Sequence, residues 1–328
     1  MSKNIPKKQS AQSHYKWSAI AGPPLRQTAT RMTYPGGTVK RDDGSEQPNM
    51  GLYMSDQLFS GGDISASLRF HKTISPATCC DFVIWFDPAT NSTLDVGVPN
   101  FSFDLFAFRE FRSEVAGGQK AQWFPFAGVG NRDQGLLADV DYPLRVRRSG
   151  SKLQLFHNDV LVLDRTLPKT YGRSQVGLLC IGEGEIILDG FVIKPERPKA
   201  FVIMQFSTPF NEVYMEVIKE VCNELEVDVI RLDEAAGPGL IISDITREIV
   251  QCTFVIADIT PVNANVFYEV GYAHGLNKPA ILIAEKGTIL PFDVSPFRTL
   301  FYENSIAGKS SLEVGLKKYI NAVLNEGS

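Results

Sequence analysis

Glu269 stands in the run NVFYEVGYAHG, residues 265 to 275, among aromatic, apolar and small residues. A carboxylate in such company has two readings. It is a surface charge on an amphipathic helix, or it is held in a pocket for a reaction. Asn263 and Asn265 are both good N-cap residues. With either as cap, Glu269 falls in the first or second turn of a helix, where the helix dipole favours negative charge. The expectation is a low pKa and an ionised group at neutral pH. Such a group suits a nucleophile or a cation stabiliser better than a general acid. A glutamate near a helix start is also common because the dipole rewards it, and spacing alone favours that plainer reading. Gly271 and Ala273 allow close backbone approach on one face.

The segments around this helix must position it. AFVIMQF, from Ala200, is a continuous apolar run, as a buried parallel strand requires. Phe210, Val213, Tyr214, Val217, Ile218, Val221, Cys222 and Leu225 then repeat at helical spacing. VDVIRL is a strand. LIISDITREIV is a helix with Ile242, Ile245 and Ile249 on one side. TFVIAD is a strand, VFYEVGYAHGL a helix and PAILIA a strand. TLFY is a short strand and SSLEVGLKKYINAVL a closing helix. Such alternation predicts a doubly wound, flavodoxin-like domain of five parallel strands with helices on both faces. Ligands bind outside the carboxyl ends of such strands. That rule selects Gln205 and Phe206, then Arg231, Leu232 and Asp233, then Asp258 and the loop ITPVNANV. The GPG at 237 to 239 is a turn that could approach a phosphate at a helix start, a weak three-residue signal.

Residues 17 to 194 have a different grammar. In YPLRVRRSGSKLQLFHNDVLVLDRTL, Leu144 and Val146 alternate with Arg145 and Arg147, SGS turns the chain, and Leu153 and Leu155 flank Gln154. HND turns it again. Period-2 strands joined by short polar turns predict an all-β sandwich. KPERPKA, with two prolines, makes a short stiff linker over residues 195 to 200, and the α/β domain takes 201 to 328. The basic, polar residues 1 to 16 read as a disordered tail without the apolar core of a signal peptide.

Composition excludes several functions. The 33 Lys+Arg nearly balance the 37 Asp+Glu, so no basic face for nucleic acid is implied. No apolar run is long enough to span a membrane. The 5 cysteines include no CxxC pair and read as reduced, buried thiols of a cytoplasmic protein. The four histidines, His14, His71, His157 and His274, show no metal-ligand spacing. There is no GxSxG elbow, P-loop or HExxH.

Two resemblances add to this reading. LRVRRSGSKLQLFHNDVLV and GEIILDGFVI resemble a concanavalin-like, laminin-G-type sandwich over about residues 50 to 194. Many such domains bind sugars, so a protein or glycan ligand is implied. Trp85 and Trp123 fit a core as well as a ligand platform, and partner binding or self-assembly is the preferred role. In the second half, FVIMQF, VIRLDE, VIADITPVNANVFYEVGYAHGLNKPAILI and PFD resemble the nucleoside 2-deoxyribosyltransferase superfamily. They are most similar to its TIR-like bacterial branch of stress and antiphage proteins, over about residues 199 to 303.

That resemblance makes Glu269 the carboxylate acting at the anomeric carbon of a ribosyl or deoxyribosyl N-glycoside, with Asp258 shaping the sugar site. A fixed carboxylate suits the oxocarbenium character of such a reaction. Asn263 and Asn265 would contact sugar or base, Tyr268, Phe206 and Phe292 would stack, and Asp293 would reach in from a later loop. His274 reads as packed or capped. Deoxyribosyltransferases carry aspartate where this chain has Asn263, and a Gly-Thr pair where it has Asn265 and Val266. The TIR-like branch accepts the Asn-x-Asn form, and its implied reaction is hydrolysis of a nucleotide, with NAD the prime substrate. No cofactor beyond that substrate is implied, and a homo-oligomer activated by assembly is expected. A nucleotide sensor without turnover and a nucleoside 2-deoxyribosyltransferase are the alternatives.

Overall fold

The computed structural model describes residues 15–99, 104–113, 121–130, 135–232, 241–292, 294 and 297–325. The first domain is two antiparallel sheets face to face. One has the order β1 (Trp17–Ala21), β5 (Glu46–Phe59), β14 (Ser174–Gly182), β7 (Cys79–Asp87), β8 (Ser92–Val98), β9 (Phe106–Arg112) and β10 (Gln122–Val129). A short strand, β4 (Thr38–Lys40), pairs with β5. The other has the order β13 (Val160–Thr166), β12 (Lys152–His157), β11 (Asp141–Ser149), β6 (Gly62–Phe70), β15 (Ile186–Pro195), β3 (Arg31–Tyr34) and β2 (Arg26–Gln27). This is the sandwich that the alternating strands predict, of the concanavalin-like kind that the resemblance implies.

Its core follows from period-2 side-chain placement. Ile64, Ala66, Leu68 and Phe70 of β6 and Leu144 and Val146 of β11 face Phe82, Val96 and Phe108 of the opposite sheet. Each fully buried Leu, Ile or Phe stabilises the fold by about 2 kcal/mol. The two polar turns lie where the sequence puts them. Asn158 and Asp159 have φ of 50° and 60°, the left-handed pair that a tight two-residue hairpin needs. One buried ion pair sits on the first sheet, Arg109 with Asp81, each side chain 1% exposed. All five cysteines are buried and unpaired.

The second domain is a parallel sheet of order β17 (Asp228–Ile230), β16 (Lys199–Ile203), β18 (Phe254–Asp258), β19 (Ala280–Glu285) and β20 (Thr299–Tyr302). This 2-1-3-4-5 order is the flavodoxin-like one expected. Alternate strand residues feed two cores. Ala200, Val202, Ile256 and Ile283 pack on one face against Tyr214, Val217, Ile218 and Val221 and against α5 (Ile306–Asn325). Phe201, Ile203, Val255 and Leu282 pack on the other, against α3 (Ile241–Gln251) and α4 (Ala264–Gly275). The helix predicted from Phe210 to Leu225 has an insertion. A π-helical turn, Tyr214–Ile218, separates α1 (Phe210–Val213) from α2 (Lys219–Glu224). The apolar side keeps its spacing through the turn, so periodicity could not reveal it.

The domains meet directly. β15 runs to Pro195 and β16 starts at Lys199, so three residues join them. The turn after β11 inserts Ser151, whose N–H donates to the Val250 carbonyl at 3.0 Å. Gly150 has φ of 56°, and a β-carbon there would overlap the Cys252 carbonyl oxygen. Only glycine fits that contact. Among the described residues, no helix is long and apolar enough to cross a membrane.

Candidate functional site

A crevice of about 410 Å³ opens where β16 and β18 end and the helices diverge to opposite faces of the sheet. This is the topological switch point, where the connections leave a gap. Gln205 and Phe206 enter it from the end of β16. Ile242 and Ile245 of α3 form one wall, and Val266, Tyr268 and Glu269 of α4 form the other. Asn263 and Asn265 close the end at the start of α4.

The start of α4 is built by Asn263. Its backbone is extended, and its side-chain oxygen accepts from the Asn265 N–H at 2.9 Å. That cap sets the rotation of the helix. Val266, Val270 and Ala273 face the sheet, and Glu269 is left at the edge of the buried stripe, facing the crevice.

The electrostatics of Glu269 differ from the expectation of a low pKa. Burial pushes its carboxyl up from the ordinary 4.5 to about 7. Two facts explain the correction. Glu269 is past the first turn of α4, where the dipole has fallen off. Its neighbours across the crevice are apolar, so the charged form loses water without gaining a partner. Among the described residues it makes no hydrogen bond or ion pair. Near neutral pH both protonation states are populated, so it is available as acid or as carboxylate.

Asp258 needs a correction of another kind. It lies at the end of β18, as expected, but is 0% exposed and does not line the crevice. The Tyr302 hydroxyl donates to Oδ2 at 2.8 Å and the Thr260 N–H to Oδ1 at 3.0 Å. Burial raises its pKa to about 7. With both oxygens engaged inside the core, it ties β18 to β20 and positions the loop leading to α4. Neither oxygen faces the crevice.

The remaining candidates divide. Gln205, Phe206, Asn263, Asn265, Tyr268 and Glu269 are brought together. Arg231 is buried behind them. It donates to Asn211 Oδ1 at 2.9 Å, and its guanidinium lies 4.0 Å from the Tyr214 ring centroid and 5.3 Å from that of Phe206. It therefore backs Phe206 and does not line the crevice. Phe292 is 87% exposed on a loop and does not line it either. Asp233, Asp293 and the GPG turn lie outside the described residues. His274 stacks on Phe297 with ring centroids 4.2 Å apart, the packed role expected of it. In the sandwich, Trp85 packs edge-on against Tyr171, and the Trp123 indole donates to Asp95 at 2.8 Å.

Leu232 lines the crevice from the end of the second strand, as expected, but the apolar wall that Ile242 and Ile245 add from α3 was not foreseen as part of the site. Its signal was present: Ile242 belongs to the helical stripe but stands before the sheet begins to cover it, and is 52% exposed. Among the described residues, no cluster of His, Cys, Asp or Glu could hold a metal.

No protein-family model and no curated protein matches the chain. Some solved structures are similar to part of the chain at low identity. The carbohydrate-binding module CBM66 from Bacillus subtilis is 12% identical, with 53% of this chain and 92% of that one covered, at a TM-score of 0.36. The Bacillus licheniformis beta-glucanase is 12% identical, with 58% and 100% covered, at 0.37. A Bacillus subtilis protein with a galectin-like fold is 16% identical, with 54% and 96% covered, at 0.31.

Proposed function

We propose that the α/β domain is a TIR-like nucleotide N-glycosidase that cleaves the nicotinamide–ribose bond of NAD at Glu269. The observation that carries this reading is the crevice itself. It holds a half-buried carboxyl without a protein partner, at the switch point of a flavodoxin-like sheet. A carboxyl kept from its own protein's donors and cations is free to serve a substrate's cation.

The choice of NAD follows from leaving-group chemistry. Apart from the Tyr268 phenol, Glu269 is the one ionisable group among the described residues lining the crevice. Purine and pyrimidine bases leave well only when protonated. A pyridinium needs no proton. The C1′–N bond breaks, its electron pair returns to the ring nitrogen, and neutral nicotinamide departs. The ionised Glu269 stabilises the oxocarbenium ion left behind. Water then adds its oxygen to C1′ and releases a proton, giving ADP-ribose. Phe206 and Tyr268 offer ring faces to the nicotinamide, and Asn263 and Asn265 offer amides to the ribose hydroxyls.

The test is chromatography of concentrated protein incubated with NAD, NADP and a nucleoside panel, beside Glu269→Gln. Nicotinamide release by the wild type alone supports the reading. The rate should rise with pH through about 7 and then level, because the working form is the carboxylate. A rate that falls over that range makes Glu269 a general acid and turns the reading towards base exchange. An unchanged substrate that still raises Tm makes the crevice a sensor.

A further inference from the structure

β7 opens with two cysteines, Cys79 and Cys80. Successive side chains of a strand point to opposite faces of its sheet. Cys80 therefore points into the sandwich core, and Cys79 to the other side, beside Val83 and Leu179. In β14 the same alternation turns Val176, Leu178 and Cys180 into the core. β7 and β14 are neighbours in the sheet, and their antiparallel register sets Cys180 directly opposite Cys80. The two sulfur atoms are 3.8 Å apart, on residues that are each 0% exposed and 100 positions apart in the chain.

Two thiols so placed can join. Directly opposed residues of an antiparallel pair have Cα atoms about 4.5 or 5.5 Å apart. Both spacings fall inside the range of about 4.4–6.8 Å that a disulfide spans. A rotation of each side chain about its Cα–Cβ bond closes the gap. The other three cysteines are held elsewhere. Arg109 Nη2 donates to the Cys79 sulfur at 3.5 Å, and the Cys79 thiol donates to Asp81 Oδ2 at 3.6 Å. Cys222 and Cys252 belong to the two cores of the α/β domain. In the folded protein the pair is protected. The Cys180 thiol beside it, together with burial, holds the Cys80 thiol well above its ordinary range. The thiolate is the form that reacts. Before β14 docks on β7 both side chains are in water, and that protection does not exist.

We propose that Cys80 and Cys180 are a covalent modification site, closing to a cross-strand disulfide when the chain folds under oxidising conditions and staying thiols when it folds under reducing ones. The oxidant is a small disulfide such as oxidised glutathione. One cysteine thiolate attacks its S–S bond, forming a mixed disulfide and releasing one glutathione. As β14 settles on β7, the other cysteine thiolate attacks the cysteine sulfur of the mixed disulfide and releases the second glutathione. Two protein thiols are oxidised, the glutathione disulfide is reduced to two thiols, and the two cysteine protons end on them. The bond ties β14 to β7, next to it in the middle of the first sheet. Burial then keeps out reductant as it keeps out oxidant. The redox state at folding is thereby stored in the finished protein. The site is separate from the Glu269 crevice and stands without the N-glycosidase reading.

Cell-free synthesis of the full chain in reduced or in oxidised glutathione tests this, followed by alkylation in denaturant and peptide mapping without reductant. Synthesis in oxidised glutathione should leave Cys80 and Cys180 joined and Cys79, Cys222 and Cys252 alkylated. Synthesis in reduced glutathione should leave all five cysteines alkylated. The map reads the pair in the wild type, so the test does not depend on a variant's folding. Cys180→Ala should abolish the bond, and Cys79→Ala should retain it. Oxidised glutathione added after folding in the reduced buffer should leave the thiols open. The closed form should melt about 10 °C above the open one, because the bond restrains a loop of 100 residues in the unfolded chain. Five alkylated cysteines after synthesis in oxidised glutathione overturn the proposal. So does a bond made by Cys79, or a closed form that melts below the open one. Ready closure in the already folded protein overturns the claim that folding sets the state.

Discussion

The end of β18 and the second turn of α4 each carry a carboxyl that burial raises to about 7. In every other respect the two regions differ. Asp258 is enclosed by its own fold, with a tyrosine hydroxyl and a backbone amide on its two oxygens. Glu269 is half enclosed, faces a crevice and has no protein partner. A raised pKa therefore does not distinguish a structural acid from a chemical one. What distinguishes them is whether the protein has already used the group's hydrogen-bonding capacity.

Five experiments bear on this contrast. The largest effect belongs to Glu269→Gln, which should reduce nicotinamide release by about 10³-fold or more while the fold is retained. Asp258→Asn, in the same assay, should reduce it by less than about tenfold per folded molecule. Equal losses would erase the distinction drawn between the two. In stability the order reverses. Asp258→Ala strands the Tyr302 hydroxyl and the Thr260 amide and should cost about 3 kcal/mol, a fall in Tm of about 6 °C by calorimetry.

Gly150→Ala extends the comparison to the joint between domains. It forces a β-carbon onto the Cys252 carbonyl at positive φ and should cost about 2 kcal/mol, read as a denaturant midpoint shift. It should leave NAD turnover in the crevice within about threefold. Loss of turnover instead would show that the crevice depends on the joint between the domains.

The smallest effect is a pH dependence. Folded Glu269 keeps its proton up to about 7, while the unfolded chain releases it near the ordinary 4.5. Between those values the native state binds more protons, so this group's contribution to stability falls as pH rises through that window, and is constant outside it. Glu269→Gln removes the penalty. The variant should match the wild type in Tm at pH 4 and exceed it at pH 8 by about 2 °C, the partial exposure of the group keeping the difference small. A variant that is less stable at pH 8 would mean that the carboxylate has a partner when ionised.

Most of the fold was legible because both halves obey simple periods. Leu144, Val146, Leu153 and Leu155 mark strands by alternation, and AFVIMQF and TFVIAD mark parallel strands by lacking it. The residues of the crevice were legible from the same source, since strand ends are fixed once strands are. Burial was not legible. The low pKa expected for Glu269 came from the dipole alone; the opposing loss of water depends on Ile242, Ile245 and Leu232, which arrive from another element. Asp258 was placed correctly along the chain and wrongly in space, because Tyr302, which takes its oxygen, lies on a distant strand. The alternation that turns Leu144 and Val146 inward turns Arg148 inward too, where it donates to the Gly150 and Tyr171 carbonyls.

The join between the domains also bears on how the chain is made. β14 and β15, the last strands of the sandwich, are interior members of their sheets, between β5 and β7 and between β6 and β3. Neither sheet can close while residues 174–195 are still within the ribosome. Until then the earlier strands wait with long-range edges unpaired, the condition under which slow folding and aggregation arise. The α/β domain starts three residues after β15 with β16, an interior strand of its own sheet. Synthesis therefore completes one domain and founds the next within a few residues. A chain stopped before 174 should be insoluble rather than a smaller sandwich.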